Sequence, residues 1–183
     1  MNNVGSLSEM VNSSIVVLTK PRVSTFEMFE RRGNVQSALV YVGIASVISG
    51  ILTAIGPRGG LMGLLGGLIT ALIGFLVFTG AVFYIGRSQG GTGTFDEVAY
   101  TFSLFWAPIA VIGGVIGLLA RIPILGCIVG LPLSLALVVA EVYFGFLAVQ
   151  SSMNLIDRTK AIVTLILAAV VSIVFSVVMA VIF

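Results

Sequence analysis

The sequence predicts an all-α membrane protein, a bundle of about five transmembrane helices. Hydrophobic residues make up 58% of the 183 positions and charged residues only 9%, whereas a soluble domain carries about 25% charged residues. The apolar residues also form continuous runs of roughly 20, the length that a membrane-spanning helix needs. Barrel strands would instead alternate apolar and polar residues over about 10 positions. We therefore expect helices, which satisfy their own backbone hydrogen bonds in lipid.

Five apolar runs define the predicted transmembrane domain, residues 38–183. The spans are predicted at 38–55, 61–85, 98–120, 124–149 and 161–183. Glycine, proline and charged residues separate these runs, because such residues interrupt an apolar helix. Thr94 and Glu97 have the spacing of a capping box, which predicts a helix start just before the third run. Pro108 and Pro132 lie inside predicted spans, where a missing backbone donor favours a kink.

Residues 1–37 form a polar segment, predicted to carry two short amphipathic helices at the membrane interface. The first helix should end at Lys20-Pro21, because the residue before a proline avoids the α conformation. The second should begin at Ser24, which has capping-box spacing with Glu27. Aromatic and arginine side chains in this segment suit the headgroup layer. These residues, which we predict either to contact lipid or a partner or to cover the end of the bundle, are Phe26, Phe29, Arg31 and Arg32.

The basic residues predict the orientation of the chain. In a five-span topology, the N-terminal segment and the second and fourth loops lie on one side of the membrane. The basic residues of that side are Lys20, Arg22, Arg31, Arg32, Arg87, Arg158 and Lys160. The other side has Arg58 and Arg121. The positive-inside rule therefore places the N-terminus in the cytoplasm and the C-terminus outside.

Glycines at four-residue spacing predict close helix packing, since small residues let helix backbones approach in lipid. The glycines with this spacing are Gly59, Gly63, Gly67, Gly113, Gly117, Gly126 and Gly130. We expect them to pack helices within one chain, and a dimer face is the alternative.

Glu141 is an acidic residue within the fourth predicted span. A carboxylate at this depth costs some kilocalories per mole, so it should face the bundle interior, be paired or be protonated. Tyrosine, serine and threonine residues at similar depth are candidate partners: Tyr84, Tyr100, Thr101, Ser103 and Tyr143. Glu141 is therefore either a proton- or cation-binding carboxylate or a protonated acid that donates one interhelical hydrogen bond.

The composition argues against an enzyme. The chain has no histidine and a single cysteine, Cys127, so histidine bases, an intrachain disulfide and cysteine-based metal cages are excluded. The serines of the spans have no neighbouring base to activate them. We predict no catalytic residue, cofactor or metal, and the net charge of +2 gives no reason to expect a nucleic acid partner.

Three stretches, taken in order, resemble the Yip-type family of Ypt/Rab-interacting membrane proteins. They are Leu18 to Phe29, with Pro21 before the aromatic residues; Gly93 to Pro108, a glycine-rich loop followed by a helix containing Phe102, Phe105 and Trp106; and Asn154 to Ala161. The resemblance implies five spans, a cytoplasmic N-terminus and a GTPase partner. The N-terminal segment is shorter than in eukaryotic members that engage Rab GTPases, and the chain looks more like prokaryotic members. This similarity implies a location in the prokaryotic cell (inner) membrane.

The leading functional hypothesis is a non-enzymatic membrane scaffold or accessory subunit that organises protein or lipid partners at the cytoplasmic face. Its expected partners are membrane lipids and either another membrane protein or further copies of the chain. The alternative is a small transporter or channel component that uses Glu141.

Overall fold

The computed structural model describes residues 6–54 and 61–182, and all regular structure among them is helical. The helices are α1 Leu7–Thr19, α2 Val23–Glu27, α3 Val35–Ala54, α4 Leu61–Ser88, α5 Phe95–Leu119, α6 Pro123–Leu125, α7 Leu131–Ser152 and α8 Arg158–Ile182. A π-helical segment, Gly126–Gly130, joins α6 to α7. Five helices are long and apolar enough to cross a membrane: α3, α4, α5, α8, and α7 with the π-helical segment. The predicted all-α bundle of five spans is confirmed.

Three of the spanning helices begin before their apolar runs. Helices α3, α5 and α8 begin at residues 35, 95 and 158, whereas the runs begin at 38, 98 and 161. Polar side chains just before these helices accept hydrogen bonds from the free N–H groups of the first turn. Asn34 Oδ1 accepts from the Ser37 N–H at 2.9 Å, and Thr94 and Glu97 form the predicted capping box. Hydropathy therefore locates the hydrocarbon-embedded part of each helix, and the cap sets its true start.

The fourth span contains the π-helical segment in place of a simple kink at Pro132. Pro132 lies in the first turn of α7, directly after the segment. Proline has no N–H to donate to the preceding turn, and a wider π turn accommodates that break in the hydrogen-bond ladder. A Cβ atom built on Gly126 would overlap the carbonyl oxygen of Ala120. The glycine therefore lets the fourth span fold back closely on the end of α5.

Helix α5 is the centre of the bundle. It packs against α3, α7, α4 and α1, while α8 lies mainly against α4. Its N-terminal half, from Val98 to Phe105, is buried throughout. The outer faces of the surrounding spans present exposed apolar side chains, for example Ile69, Val139 and Ile173. Such a surface is stable when lipid, not water, surrounds it.

The predicted glycine contacts are only partly present. A Cβ on Gly130 would lie 3.3 Å from Ala120 Cβ, and one on Gly113 would lie 3.8 Å from Leu137 Cδ1. Close intramolecular packing was the wrong expectation for Gly67, because a Cβ there would meet nothing within 4 Å. The remaining predicted glycines stand as follows: Gly117 is partly buried, and Gly59 and the surroundings of Gly63 lie outside the described residues.

A close contact between two spanning helices occurs at Gly114, one position from the predicted row. A Cβ on Gly114 would lie 2.7 Å from Ser49 Oγ and 3.0 Å from Ser49 Cα. The absent side chain therefore brings α5 against α3. Spacing alone could not identify this glycine, because four-residue spacing does not show which face of a helix meets a neighbour.

Candidate functional site

One end of the bundle is closed by segments that are far apart in the sequence. We call it the basic end: α1, α2, the turn after α2 (residues 28–34), the α4–α5 loop (residues 89–94) and the α7–α8 loop (residues 153–157). Two hydrogen bonds join the two loops, and a third joins the starts of α3 and α5. The Thr92 N–H donates to the Met153 carbonyl at 3.0 Å, Asn154 Nδ2 donates to Thr92 Oγ1 at 3.2 Å, and the Val35 N–H donates to Asp96 Oδ1 at 2.8 Å. The segments expected to share one side of the membrane are therefore in direct contact.

Two glycines of the α4–α5 loop lie so close to the backbone of α4 and α7 that neither position has space for a side chain. A Cβ atom on Gly93 would overlap the Ser152 carbonyl oxygen, and one on Gly91 would lie 2.8 Å from the Gly86 carbonyl oxygen. Both contacts involve backbone atoms, which cannot rotate away as a side chain can. The glycine-rich loop is therefore a closely fitted part of the basic end.

Helix α1 has three faces, each with a different character. Met10 and Val17 are buried against the bundle, and Ser14 Oγ lies 3.0 Å from Tyr41 Oη. Apolar residues at four-residue spacing form an exposed stripe on an adjacent face: Leu7, Val11 and Ile15. This stripe borders an apolar groove that exposed side chains of α3 and α5 also line. Ser8 and Asn12 are exposed on the remaining side. Helix α1 is therefore packed against the bundle on one face, and its apolar stripe lies beside the spanning helices α3 and α5.

The aromatic residues of the second short helix are buried inside the protein. Phe26 is 0% exposed and its ring packs edge-on against Phe105, with centroids 6.2 Å apart. Phe29 is also buried, and the Arg32 guanidinium lies 5.1 Å from its ring centroid. These rings cover the end of the bundle, and within this single chain they do not reach lipid. Arg31 is largely exposed and its Nε donates to Glu97 Oε1 at 3.1 Å.

The predicted start of the second helix was wrong. Helix α2 begins at Val23, and its N-cap residue, Arg22, provides no capping side chain. The capping box of the N-terminal segment lies instead at Ser6 and Glu9, at the start of α1. Packing of Phe26 in the core, and not a local cap, fixes the position of α2. A capping-box spacing in so short a helix was not sufficient to locate its start.

Glu30 is the buried acid of the basic end. Its Oε2 accepts a hydrogen bond from Ser151 Oγ at 2.7 Å, and it is 6% exposed. Burial raises the pKa of the Glu30 carboxyl above its ordinary value of 4.5. The Ser151 hydrogen bond lowers this pKa, the nearby Glu97 carboxyl raises it, and Arg31 lowers it, with burial the largest effect. The link from Glu30 to Ser151 joins the N-terminal segment to the end of α7.

We expect the E30Q variant to gain stability relative to wild type as the pH rises. Because the pKa of Glu30 is raised on folding, the folded protein binds this proton more tightly than the unfolded chain does. Its contribution to stability is therefore present below the unfolded value of 4.5 and is lost as the pH rises through the folded pKa. Glutamine keeps an acceptor for Ser151 and does not ionise.

The measurement is the melting temperature in detergent from pH 4.5 to 7.5, taken as the difference between E30Q and wild type. Subtracting the wild-type value removes the titration of groups that both proteins share. E27Q is the matched control, because Glu27 is exposed and its substitution removes the same charge. A difference that moves in favour of wild type with rising pH would show that the charged form of Glu30 is the stabilising one.

Ile156 is the most exposed large hydrophobic residue of the basic end, at 95%. The residues before it are fixed: Leu155 is buried, and its N–H donates to the Gln150 carbonyl at 3.1 Å. After it, Asp157 Oδ1 accepts from the Thr159 N–H at 2.8 Å. Arg158 and Lys160 are exposed nearby in sequence. The fold therefore presents an isolated apolar side chain on a fixed loop beside basic residues.

Glu141 is exposed on α7 in the protein alone, so it does not face the closed interior of the bundle, and it borders a partly open cavity of about 320 Å³ formed by four spans. Helix α4 contributes Gly74, Phe75 and Phe78; α5 contributes Phe102, Phe105 and Trp106; α7 contributes Glu141 and Gly145; and α8 contributes Ala169, Ser172 and Ile173. Glu141 lies eleven residues before the end of α7 at Ser152, which corresponds to about 16 Å along the helix. It makes no hydrogen bond or ion pair with any residue that the structure describes. None of the predicted tyrosine, serine or threonine partners lines this cavity.

Ser172 is a second polar group of this cavity. Its Oγ is buried and has no hydrogen-bond partner within the described chain. The sequence did not identify it, because a serine in an apolar run carries no signal of the side it faces. Ile156 and Glu30 were missed too. Ile156 could have been found from the sequence, because it is an isoleucine in a loop between an asparagine and charged residues. Glu30 could not, because only the fold brings it to Ser151.

No group of three or more His, Cys, Asp or Glu residues in the described parts of the chain is arranged to hold a metal ion. Two candidate sites therefore remain: the cavity between the spans, which has one carboxyl group, and the closed basic end.

These features define the class of the molecule: an integral α-helical membrane protein of five spans with a short packed N-terminal segment. A family model described as the Yip1 domain matches residues 15–179, nearly the whole chain. The protein therefore belongs to the Yip1 domain family, and the resemblance seen in the sequence is confirmed. No curated protein and no solved structure gives a significant match.

Proposed function

We propose that the protein is a non-enzymatic scaffold or accessory subunit that holds a protein partner on its basic end. The observation that carries this proposal is the exposure of Ile156 on a fixed loop. Exposed apolar side chains elsewhere in the spans have a ready explanation in lipid contact. Ile156 lies in the loop between α7 and α8, beside exposed charged residues, so lipid tails do not account for it as simply.

The arrangement around Ile156 has the layout of a binding site for protein. An apolar side chain at the centre of a patch, with charged residues at its rim, is typical of protein interfaces. Full burial of an isoleucine side chain by a partner contributes about 1.5–3 kcal/mol. Arg158 and Lys160 at the rim favour a partner with acidic residues, because complementary charge speeds and orients association. The hydrogen bonds on both sides of Ile156 reduce the entropy lost when the loop is bound.

The same proposal includes the location of the basic end and the kind of protein that binds there. The basic residues support a cytoplasmic position for the basic end, and similarity to prokaryotic members supports the cell membrane. Family membership and the resemblance to Ypt/Rab-interacting proteins support a GTPase as one candidate partner. Another membrane protein, or a second copy of this chain, is the other expectation.

A photo-crosslinking residue at position 156 tests the proposal in native membranes. We expect one protein adduct of defined mass, and the same protein should co-purify stoichiometrically with wild type in mild detergent. The matched control carries the crosslinker at Ile124, which is 72% exposed and lies in the turn region between α5 and α7, at the opposite end of the bundle. This control site should not give the adduct.

Substitution of Ile156 by asparagine should then weaken co-purification of that protein, by about tenfold in affinity if 1.4 kcal/mol of burial is lost. The fold should not change, because the side chain contacts water in the free protein. Adducts with lipid alone, the same adduct at both positions, or full retention of the partner by I156N would contradict the proposal.

A second function, a small transporter or channel component, is favoured by the cavity at Glu141. A single carboxyl group near the middle of the spans is the kind of site that transporters use for protons or cations. Solute or proton flux into vesicles that contain only this protein, abolished in E141Q, would support it over the scaffold. The absence of flux would leave the scaffold proposal as it stands.

A further inference from the structure

The walls of the Glu141 cavity are aromatic and largely fixed. Phe102 and Phe105 are almost fully buried, with ring centroids 5.3 Å apart. Phe78 packs on Phe102 at 5.5 Å, and Phe75 packs on Trp106 at 5.4 Å. Aromatic rings packed against each other in this way hold their positions, so the cavity is preformed and does not depend on a ligand for its shape.

The polar groups of the cavity are few and have no partner within the described residues. Glu141 is the acidic group of the lining, and Ser172 adds a buried hydroxyl. A carboxylate at this depth is costly unless a cation or a proton compensates it. The lining residues from α4, α5 and α8 include no Lys, Arg or His. Any compensating positive charge must therefore come from outside the chain.

The lining discriminates among ligand classes. A bare metal cation needs about six oxygen ligands, or at least several waters, and two side chains do not provide them. A lipid acyl chain would fill the apolar volume but would leave the carboxylate uncompensated. An organic cation brings its own apolar surface to the rings and its charge to Glu141. Aromatic rings also attract organic ammonium ions directly.

We propose that the cavity between α4, α5, α7 and α8 is a binding site for a lipophilic organic ammonium ion, with Glu141 as its counter-ion. This site is separate from the basic end and requires neither a protein partner nor transport. Phe78 and Trp106, the partly exposed rings of the lining, contribute apolar contact and cation–π attraction, and the Ser172 hydroxyl adds a buried polar group without a partner among the described residues.

The chain contains its own reporter for this site. Trp106 is the single tryptophan and lines the cavity, so its fluorescence responds to an occupant. The experiment titrates the purified full-length protein in detergent with benzyltrimethylammonium. The neutral comparison compound is neopentylbenzene, in which carbon replaces the charged nitrogen. We expect a saturable change of Trp106 fluorescence with the ammonium compound and at least tenfold weaker binding of the neutral compound.

Two variants test the two features of the site separately. E141Q removes the charge and should weaken binding at least tenfold, whereas E27Q removes an exposed charge at the basic end and should leave binding unchanged. G74L fills the cavity from α4 and should abolish binding. Its control is G66L on the same helix, away from the cavity. A Cβ at either glycine meets nothing within 4 Å, so the first side-chain atom of each leucine has space.

The outcomes decide the proposal even if one variant fails to fold. The absence of a saturable response in wild type would overturn it. Equal binding of the charged and neutral compounds would overturn it as well, and would indicate an apolar site such as one for acyl chains. Unchanged binding in E141Q would remove Glu141 from the site, and unchanged binding in G74L would place the ligand elsewhere. Loss of binding in G74L, together with discrimination by charge, supports the proposal without E141Q.

Discussion

Replacing Gly93 with alanine should detach the α4–α5 loop from the end of α7 and destabilise the whole basic end. The Cβ of the new alanine would overlap the Ser152 carbonyl oxygen and lie near Met153 Cα, so backbone must move. Overpacking of this kind costs about 1–3 kcal/mol. Movement of the loop also weakens the hydrogen bonds from Thr92 to Met153 and from Asn154 to Thr92.

The measurement is the melting temperature of G93A in detergent, which should fall by roughly 2–12 °C, given about 2–4 °C per kcal/mol for a chain of this size. G80A is the control, because a Cβ on Gly80 in α4 meets nothing within 4 Å. In a helix interior, alanine at such a position is neutral or stabilising by about 0.5–1 kcal/mol relative to glycine. If G93A melts with or above G80A, the loop does not have the fitted packing described here.

The sequence predicted the glycine-rich loop, but glycine spacing identified only some of the closely packed positions. Four-residue spacing drew attention to Gly67, which has no close neighbour, and passed over Gly93 and Gly114. Spacing within a helix says which residues share a face, but not which face meets another helix. Close contact at Gly93 depends on α7, whose end lies about sixty residues further along the chain. No local pattern can record such a contact.

The fold was predictable for a physical reason that does not apply to the site. In lipid, an unbroken apolar run has essentially one stable backbone, so helix number and type follow from hydropathy. The same apolar composition does not show which face of each span is buried, because lipid-facing and buried residues are equally hydrophobic. Phe102 and Ile112 are both large apolar residues of the same apolar run, yet Phe102 lines the Glu141 cavity and Ile112 is exposed. Glu141 itself stood out only because a charge is rare in a span.

The family match covers both candidate sites, which lie at different depths in the bundle. The match to the Yip1 domain covers residues 15–179 and therefore includes α2, both loops of the basic end and the cavity. Glu30, Arg31 and Ser151 link the N-terminal segment to the ends of α5 and α7. A partner bound at Ile156 would therefore contact a rigid end of the bundle, while a ligand at Glu141 would contact four spans deeper along it.

Replacing Phe26 with alanine should release the N-terminal segment from the bundle. The ring is fully buried and packs on Phe105, and α2 contacts α7. Loss of a buried phenylalanine costs about 3–5 kcal/mol, and α2 is too short to be stable without tertiary packing. We expect a marked fall in melting temperature and faster trypsin cleavage after Arg22, Arg31 and Arg32. M28A is the matched control, because Met28 is 60% exposed in the same segment. Equal trypsin resistance of F26A and M28A would mean that Arg31 and Glu30, through Glu97 and Ser151, hold the segment without the ring.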